Sequence, residues 1–563
     1  MNVATLLLVA PLALPQTTAP CAQAAIASAQ ESADARIEKG RALLAQGKLA
    51  EAQAEFDAAC AAEPGPKTRV WQTRGWIASL RFDDALGAIE ELKEQKAPAG
   101  LIDYLFGMAF LGQAKDAVAN NRAGQYTQGQ FEDAARSLKQ AVKADAARFQ
   151  DAWTALAEAA WYSQDLEAGR EAAEKALAFD RQNADVHVIL GRIQFSRYVA
   201  EPDAAAKEAL WKTTYAAFEK AMTLLGTPAE FPRQSLLAEV HVQLANLHGW
   251  KQDLSAASAS FASAVSWDPS RVNFPQAYNL LGSTGFLGMC EDGSKRFAAR
   301  AGENDARNAT VAWWTGFAQF ENAKWPECEA SFRNAVRLWP AFANSWYYVY
   351  RAAFSQQRYA EAIEALYSFR RADPEGLVQT IAGDLGRNTG VLNGLIAWCA
   401  DPEKQKGAVR NEDAAMICDL FTRLEPEVSR HWNNLGLFLR DQGDALRMKR
   451  GAKPDPEVLA DLWTRSFAAY ERALELNPKD PNVINDTAVM LHYYLKREYD
   501  RVEEMYKYSN ERALEELART DLSTDDRAVI EIAKRDSADN LRRLKKWQEL
   551  VQQQPDLDPN AVR

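Results

Sequence analysis

Two prolines, Pro340 and Pro374, stand 34 residues apart, and each closes a segment of the same design. In WPECEASFRNAVRLWP and RYAEAIEALYSFRRADP a small residue is followed four positions later by a bulky one, then three later by another packing residue. These are Cys328, Phe332 and Ala335 in the first segment, and Ala362, Leu366 and Phe369 in the second. Spacings of four and three place all three side chains on one helix face. Alternating small and large residues lets a neighbouring helix approach at one point and interlock at the next. The triplet recurs as Ala52-Phe56-Ala59, Ala134-Leu138-Ala141, Gly169-Ala173-Ala176, Ala257-Phe261-Ala264 and Ser466-Tyr470-Ala473. Looser copies are Ala85-Ile89-Leu92, Thr214-Phe218-Ala221 and Ala414-Cys418-Phe421. Proline cannot continue a helix, so Pro64, Pro269, Pro340, Pro374, Pro426 and Pro478 each predict a helix end.

A second pattern precedes the first. Trp153, Leu156, Ala157 and Ala160 lie at i, i+3, i+4 and i+7, as do His241, Leu244, Ala245 and His248. Tyr278, Leu281 and Gly282 start the same series, and Trp432, Leu435, Gly436 and Leu439 repeat it. Such a stripe is the apolar face of an amphipathic helix. Short turns such as Gln46-Gly47-Lys48 connect it to the triplet helix. The unit is therefore a helix pair, repeated, and the fold class is all-α. The length, 563 residues, exceeds what one hydrophobic core organises, which a repeat array accommodates.

W-x2-L-G followed by A-x3-F-x2-A and proline over 34 residues resembles the tetratricopeptide repeat. Trp432, Leu435 and Gly436 carry the first half, and Ala257, Phe261, Ala264 and Pro269 the second. About eleven units fit between residues 33 and 510. Residues 33–374 form an array with helix-loop insertions at 112–128 and 196–212. Residues 375–427 form a degenerate repeat with the polar loop 401–411, and 428–510 hold further units with an insertion at 444–465. Residues 511–554 read as capping helices begun by Ser523 with Asp526, with Leu541, Leu544, Trp547 and Val551 on one face, and 555–563 as a tail.

The resemblance implies a right-handed superhelical α-solenoid whose first helices line a concave groove. Family groove positions, carried onto this chain, hold Trp161, Tyr162, Trp250, Trp313, Phe317, Phe320, Tyr347, Arg351 and Phe354. Further along they hold Arg430, Asn433, Arg440, Asn485, His492 and Tyr493. Aromatic and arginine side chains are common anchors of protein interfaces, so the expected role is a non-catalytic scaffold for another protein or peptide. An alternative is a carbohydrate- or lipid-binding accessory factor in envelope assembly, since aromatic platforms also suit sugars.

Other features narrow the function classes. The net charge is −11 with no basic stripe, which argues against a nucleic-acid partner. No nucleophile elbow, zinc-protease helix, phosphate loop or dinucleotide fingerprint occurs, and no enzyme activity or cofactor is expected. The histidines His187, His241, His248, His431 and His492 lack the spacing of a metal site and read as core or groove residues. Cys60, Cys328 and Cys418 fall at helix-packing positions and read as small apolar residues. The apolar run Val3–Leu14 with small residues after it predicts a signal peptide over residues 1–24, hence a periplasmic or secreted protein. No segment has the length of a membrane span. Sequence leaves the oligomeric state open.

Overall fold

The structure is a computed structural model that describes residues 32–120, 122–406, 409–449 and 454–562. The predicted signal segment and Cys21 lie outside the described residues. Among the described residues the chain is helical, joined by turns, with no strand.

The predicted helix ends occur where the prolines place them. Leu49–Ala62, Leu254–Trp267, Trp325–Leu338, Tyr359–Ala372, Asn411–Leu424 and Pro456–Leu476 each stop two residues before Pro64, Pro269, Pro340, Pro374, Pro426 and Pro478. The residue between is extended, as at Asp268 (φ −154°, ψ 100°) and Trp339 (φ −143°, ψ 97°). The proline ring excludes the helical conformation from the residue before it. Asp145 and Asp180 end their helices in the same extended way, although Ala146 and Arg181 follow them. The exit geometry thus belongs to the hairpin, and proline reinforces it.

The turns inside the short hairpins share a second signature. Gly47, Leu80, Gln164, Gln252, Ala323 and Gln357 all have φ between 55° and 73°. One left-handed residue reverses the chain in each, and only the first is a glycine.

The described residues divide into two compact units, with the boundary between 318 and 319. In the first, helix pairs follow one another: Ala33–Ala45 with Leu49–Ala62, Pro66–Ala78 with Phe82–Glu94, and Ala99–Ala119 with Gln125–Ala144. Gln150–Tyr162 then pairs with Leu166–Phe179, Ala184–Ala200 with Ala204–Leu225, and Phe231–Trp250 with Leu254–Trp267. In the second, Ser345–Ser355 pairs with Tyr359–Ala372, Leu385–Ala400 with Asn411–Leu424, and Ser429–Met448 with Pro456–Leu476. Pro481–Val489, continued by a π-helical turn Met490–Leu495, pairs with Tyr499–Leu517, and Thr524–Val551 packs beside both. Each unit is a stack of hairpins, an all-α solenoid.

Every triplet read from the sequence is buried. The bulky member lies against a glycine of its own hairpin's first helix in four cases. A Cβ on Gly40, Gly107, Gly191 or Gly436 would fall within 2.8 Å of Phe56, Leu138, Phe218 or Tyr470. Glycine is needed there because no other residue lets the two helices come that close.

The insertions at 112–128, 196–212 and 444–465 include extra helical turns, seen in the long Ala99–Ala119, Ala204–Leu225 and Ser429–Met448. Several other local expectations are corrected. Gly282, read as a packing residue, instead breaks the helix Phe274–Ala301 with φ 66° and ψ 173°. Cys290, Cys328, Cys399 and Cys418 are buried thiols, but Cys60 is half-buried, because its neighbour Ala59 takes the packing position. The cap begins as expected, with Ser523 Oγ accepting from the Asp526 backbone N–H at 3.0 Å. The residues read as a tail pack back on it. The buried Trp547 indole donates to the Leu557 carbonyl at 2.7 Å, Asn560 donates to the Tyr493 carbonyl at 3.0 Å, and Val562 is buried. A buried indole N–H gains from an acceptor, and this segment supplies one.

Candidate binding surfaces

In the first unit the first helices of successive hairpins carry ionisable residues in two rows. Lys115 Nζ stands 2.7 Å from Glu158 Oε1, Arg192 lies 3.6 Å from the same oxygen, and Arg192 also donates to Glu239. In the second row Arg74 and the Tyr104 hydroxyl donate to one Asp151 oxygen at 2.9 and 2.7 Å, and Arg233 donates to Asp185 at 2.7 Å. Asp151 and Asp185 are 34 residues apart, as are Glu158 and Arg192. The repeat therefore delivers these side chains to equivalent places on adjacent helices.

Arg192 is buried and satisfies two carboxylates at once. Burial raises the Glu158 carboxyl, but Lys115 and Arg192 outweigh it and hold it below the usual carboxylate range. Ion pairs this enclosed depend on both partners, since removing one strands a buried charge. The rows face a cavity of about 1010 Å³ whose wall also includes Met108, Leu111, Phe179 and Leu236. The first hairpin's turn reaches across the unit: a Cβ on Gly47 would lie 3.3 Å from Pro232. Mixed charged and apolar lining around a concave space suits an extended polypeptide segment.

The residues assigned to a groove from sequence differ in exposure and in partners. Trp161 lies under the Arg192 guanidinium, 4.9 Å from ring centre, and Tyr162 lines the cavity while stacking on Phe131 at 4.2 Å. Trp250 is 52% exposed, with the Lys207 ammonium 5.6 Å from its ring. Trp313 stacks on Phe317 at 5.8 Å, and both are half-buried within an aromatic group containing Trp314 and Tyr278.

In the second unit Phe320 packs edge-on against Trp325 and Tyr348, and Phe354 against Tyr359. The contacts with Trp325 and Tyr359 close single hairpins, and the one with Tyr348 joins Phe320 to the next hairpin. Tyr347 is buried, so it is not presented to a partner, contrary to the sequence expectation. Its hydroxyl accepts from Arg351 at 2.9 Å, and Arg351 also donates to the buried Asn388 at 3.2 Å. His492 and Asn485 are buried too and are corrected in the same way. His492 Nδ1 lies 3.1 Å from the Tyr506 hydroxyl and its ring stacks on Tyr493 at 3.9 Å. Desolvation lowers its pKa to about 4, so it stays neutral. Tyr493 donates to Asn540 at 3.0 Å, and Asn540 to Asn485 at 3.5 Å. Arg430 is exposed, while Asn433 and Arg440 are half-buried.

Sequence reasoning thus weighted the aromatics and missed the charged rows. Ionisable residues at the repeat's own 34-residue spacing were the available signal. Among the described residues no three His, Cys, Asp or Glu side chains are grouped to hold a metal, and no helix is long and apolar enough to cross a membrane.

A family model described as the tetratricopeptide repeat matches residues 19–66, 124–185 and 298–376. No curated protein matches the sequence. Among solved structures, yeast Tom70 aligns at 14% identity over 92% of this chain and 96% of that one, with a TM-score of 0.22. The Cut9 and Hcn1 hetero-tetramer of the APC/C aligns at 12% identity over 91% and 98%, with a TM-score of 0.25. The P58(IPK) TPR domain aligns at 12% identity over 78% and 99%, with a TM-score of 0.20. Residues 19–66, 124–185 and 298–376 are thus similar to the tetratricopeptide repeat, and the hairpins with buried triplets continue the same design through the described residues.

Proposed function

We propose that the chain is a non-catalytic scaffold that holds a segment of another protein in the concave face of its first unit. The observation that carries this reading is the pair of charged rows facing the 1010 Å³ cavity. A partner backbone needs donors and acceptors at regular intervals, and the rows supply both signs of charge along successive helices. Phe179, 46% exposed on the cavity wall, and the ring of Tyr162 offer apolar anchors.

Arg233 is the cation to reverse and Lys115 the one to neutralise, being 40% and 43% exposed, because a carboxylate at 115 would face the enclosed Glu158. Affinity capture with the wild-type chain should recover a specific protein that the Lys115→Gln, Arg233→Glu double variant does not retain. Equal recovery by a folded variant would place binding elsewhere. The apolar run Val3–Leu14 supports work outside the cytoplasm. Cell fractionation with mass measurement of the mature N-terminus tests that, and an intact cytoplasmic chain would refute it.

A further inference from the structure

The second unit has a side-chain cluster whose charges do not balance. Asn433, Leu437, Arg440 and Asp444 are spaced four, three and four along Ser429–Met448, so they share a face. Pro481–Val489 brings Asp486 beside them. Arg440 Nε donates to Asp441 Oδ1 at 3.0 Å, while another of its nitrogens stands 3.9 Å from Asp486 Oδ1. Asp444 has its own partner, Arg447 at 3.0 Å, and accepts from the Tyr494 hydroxyl at 2.6 Å. Two carboxylates, Asp441 and Asp486, therefore share one guanidinium, and Asp480 adds to the negative field on Asp486.

A second observation is independent of the acids. Tyr470 is fully buried and its hydroxyl has no hydrogen-bond partner, although Asp486, Arg440, Asp441 and Tyr494 are the charged and polar groups it senses. The Asn433 amide oxygen is likewise buried and unpartnered. Buried polar atoms left unsatisfied cost stability unless something completes them. Burial pushes the Asp486 carboxyl up to about 6 even though Arg440 opposes the rise. Asp441 and Asp480 add smaller contributions in the same direction.

We propose that this cluster receives the cationic end of a lysine or arginine side chain presented by a partner protein. The added charge pairs with Asp486 and Asp441, whose present cation is shared and whose other donor on Asp486 is the long Asn485 amide contact at 3.4 Å. Side chains 26% and 39% exposed leave Asp486 and Asp441 reachable. Nothing in this step requires the groove of the first unit.

Calorimetric titration of the full chain tests it, with Nα-acetyl-arginine amide, Nα-acetyl-lysine amide and the neutral Nα-acetyl-glutamine amide as probes. The two cations should bind saturably and the neutral probe should not. Asp486→Asn and Asp441→Asn should each weaken cation binding by about tenfold or more. Asp461→Asn, an exposed acid paired with Arg465 at 3.3 Å on Pro456–Leu476, should leave it unchanged. Circular dichroism melts confirm that each variant folds, and if Asp486→Asn does not, Asp441→Asn decides alone. Equal binding of the neutral probe, or undiminished cation binding in the folded aspartate variants, overturns the proposal.

Discussion

Gly191→Ala isolates the contact on which the hairpins are built. An added Cβ would stand 2.4, 2.6 and 2.8 Å from three ring atoms of Phe218. Carbon atoms in contact normally sit about 3.5–4.0 Å apart. Phe218 is fully buried, so its ring cannot swing aside into solvent. Overpacking of this kind costs about 1–3 kcal/mol. Alanine recovers about 1 kcal/mol through its better helix propensity. Gly129 separates the two effects, because it lies inside Gln125–Ala144 with nothing within 4 Å of where its Cβ would be. Gly129→Ala should therefore stabilise by about 1 kcal/mol. Gly191→Ala should fall about 1–3 kcal/mol below it. Urea unfolding followed by far-ultraviolet circular dichroism gives both numbers, provided the slopes agree. Introducing Phe218→Ala first should turn Gly191→Ala from costly to favourable, which a double-mutant cycle reads directly. If both glycine variants shift stability alike, the close-approach reasoning is wrong.

Leu80 is 57% exposed and holds φ at 60° in its turn, so Leu80→Gly should raise stability by about 1 kcal/mol, a gain visible in the urea midpoint. His241 has its pKa lowered to about 4, first by burial and then by Arg296. The unfolded chain binds the proton near 6.5, so this stabilisation is complete above that pH and declines as pH falls towards 4, by about 1.4 kcal/mol per unit. His241→Gln should flatten that part of the stability profile, and an unchanged profile would contradict the shift. Burial pushes the thiols of Cys290, Cys328, Cys399 and Cys418 up to about 12. A thiol reagent at neutral pH should label Cys60 first and these four only after urea is added. Asp253 caps Leu254–Trp267 by accepting from the Ala256 N–H at 3.0 Å, and Asp253→Ala should cost about 1 kcal/mol of stability in the same urea assay.

The hairpin architecture was legible because packing, not propensity, writes it into the chain. Phe56, Phe261 and Phe332 must recur at fixed spacings for helices to interlock, and the six prolines mark where helices stop. Gly282 was misread because an apolar helix series and a helix followed by a left-handed break look alike until the backbone is seen. The groove was less legible. Trp313, Phe320 and Phe354 fit a list of interface residues, yet a ring on a first helix satisfies its apolar surface equally well against its own helix, its own hairpin or the next one. Tyr347 and His492 disappeared into polar contacts with Arg351, Asn388 and Tyr506, partners set by tertiary placement. The charged rows were readable in principle, since Glu158 and Arg192 keep the repeat spacing, but single acids and bases on helix surfaces are too common to stand out.

The glycine seats have a consequence for how such a chain can change length. Gly40, Gly107, Gly191 and Gly436 each meet a bulky residue of the same hairpin. Alignment of the two helices is therefore settled locally, before any neighbour is consulted. Added turns at the hairpin tip, as in Ala99–Ala119 and Gln125–Ala144, extend outward without shifting that seat. Whole hairpins can on this account be duplicated, deleted or exchanged as cassettes, with selection left to tune only the side chains where one cassette touches the next.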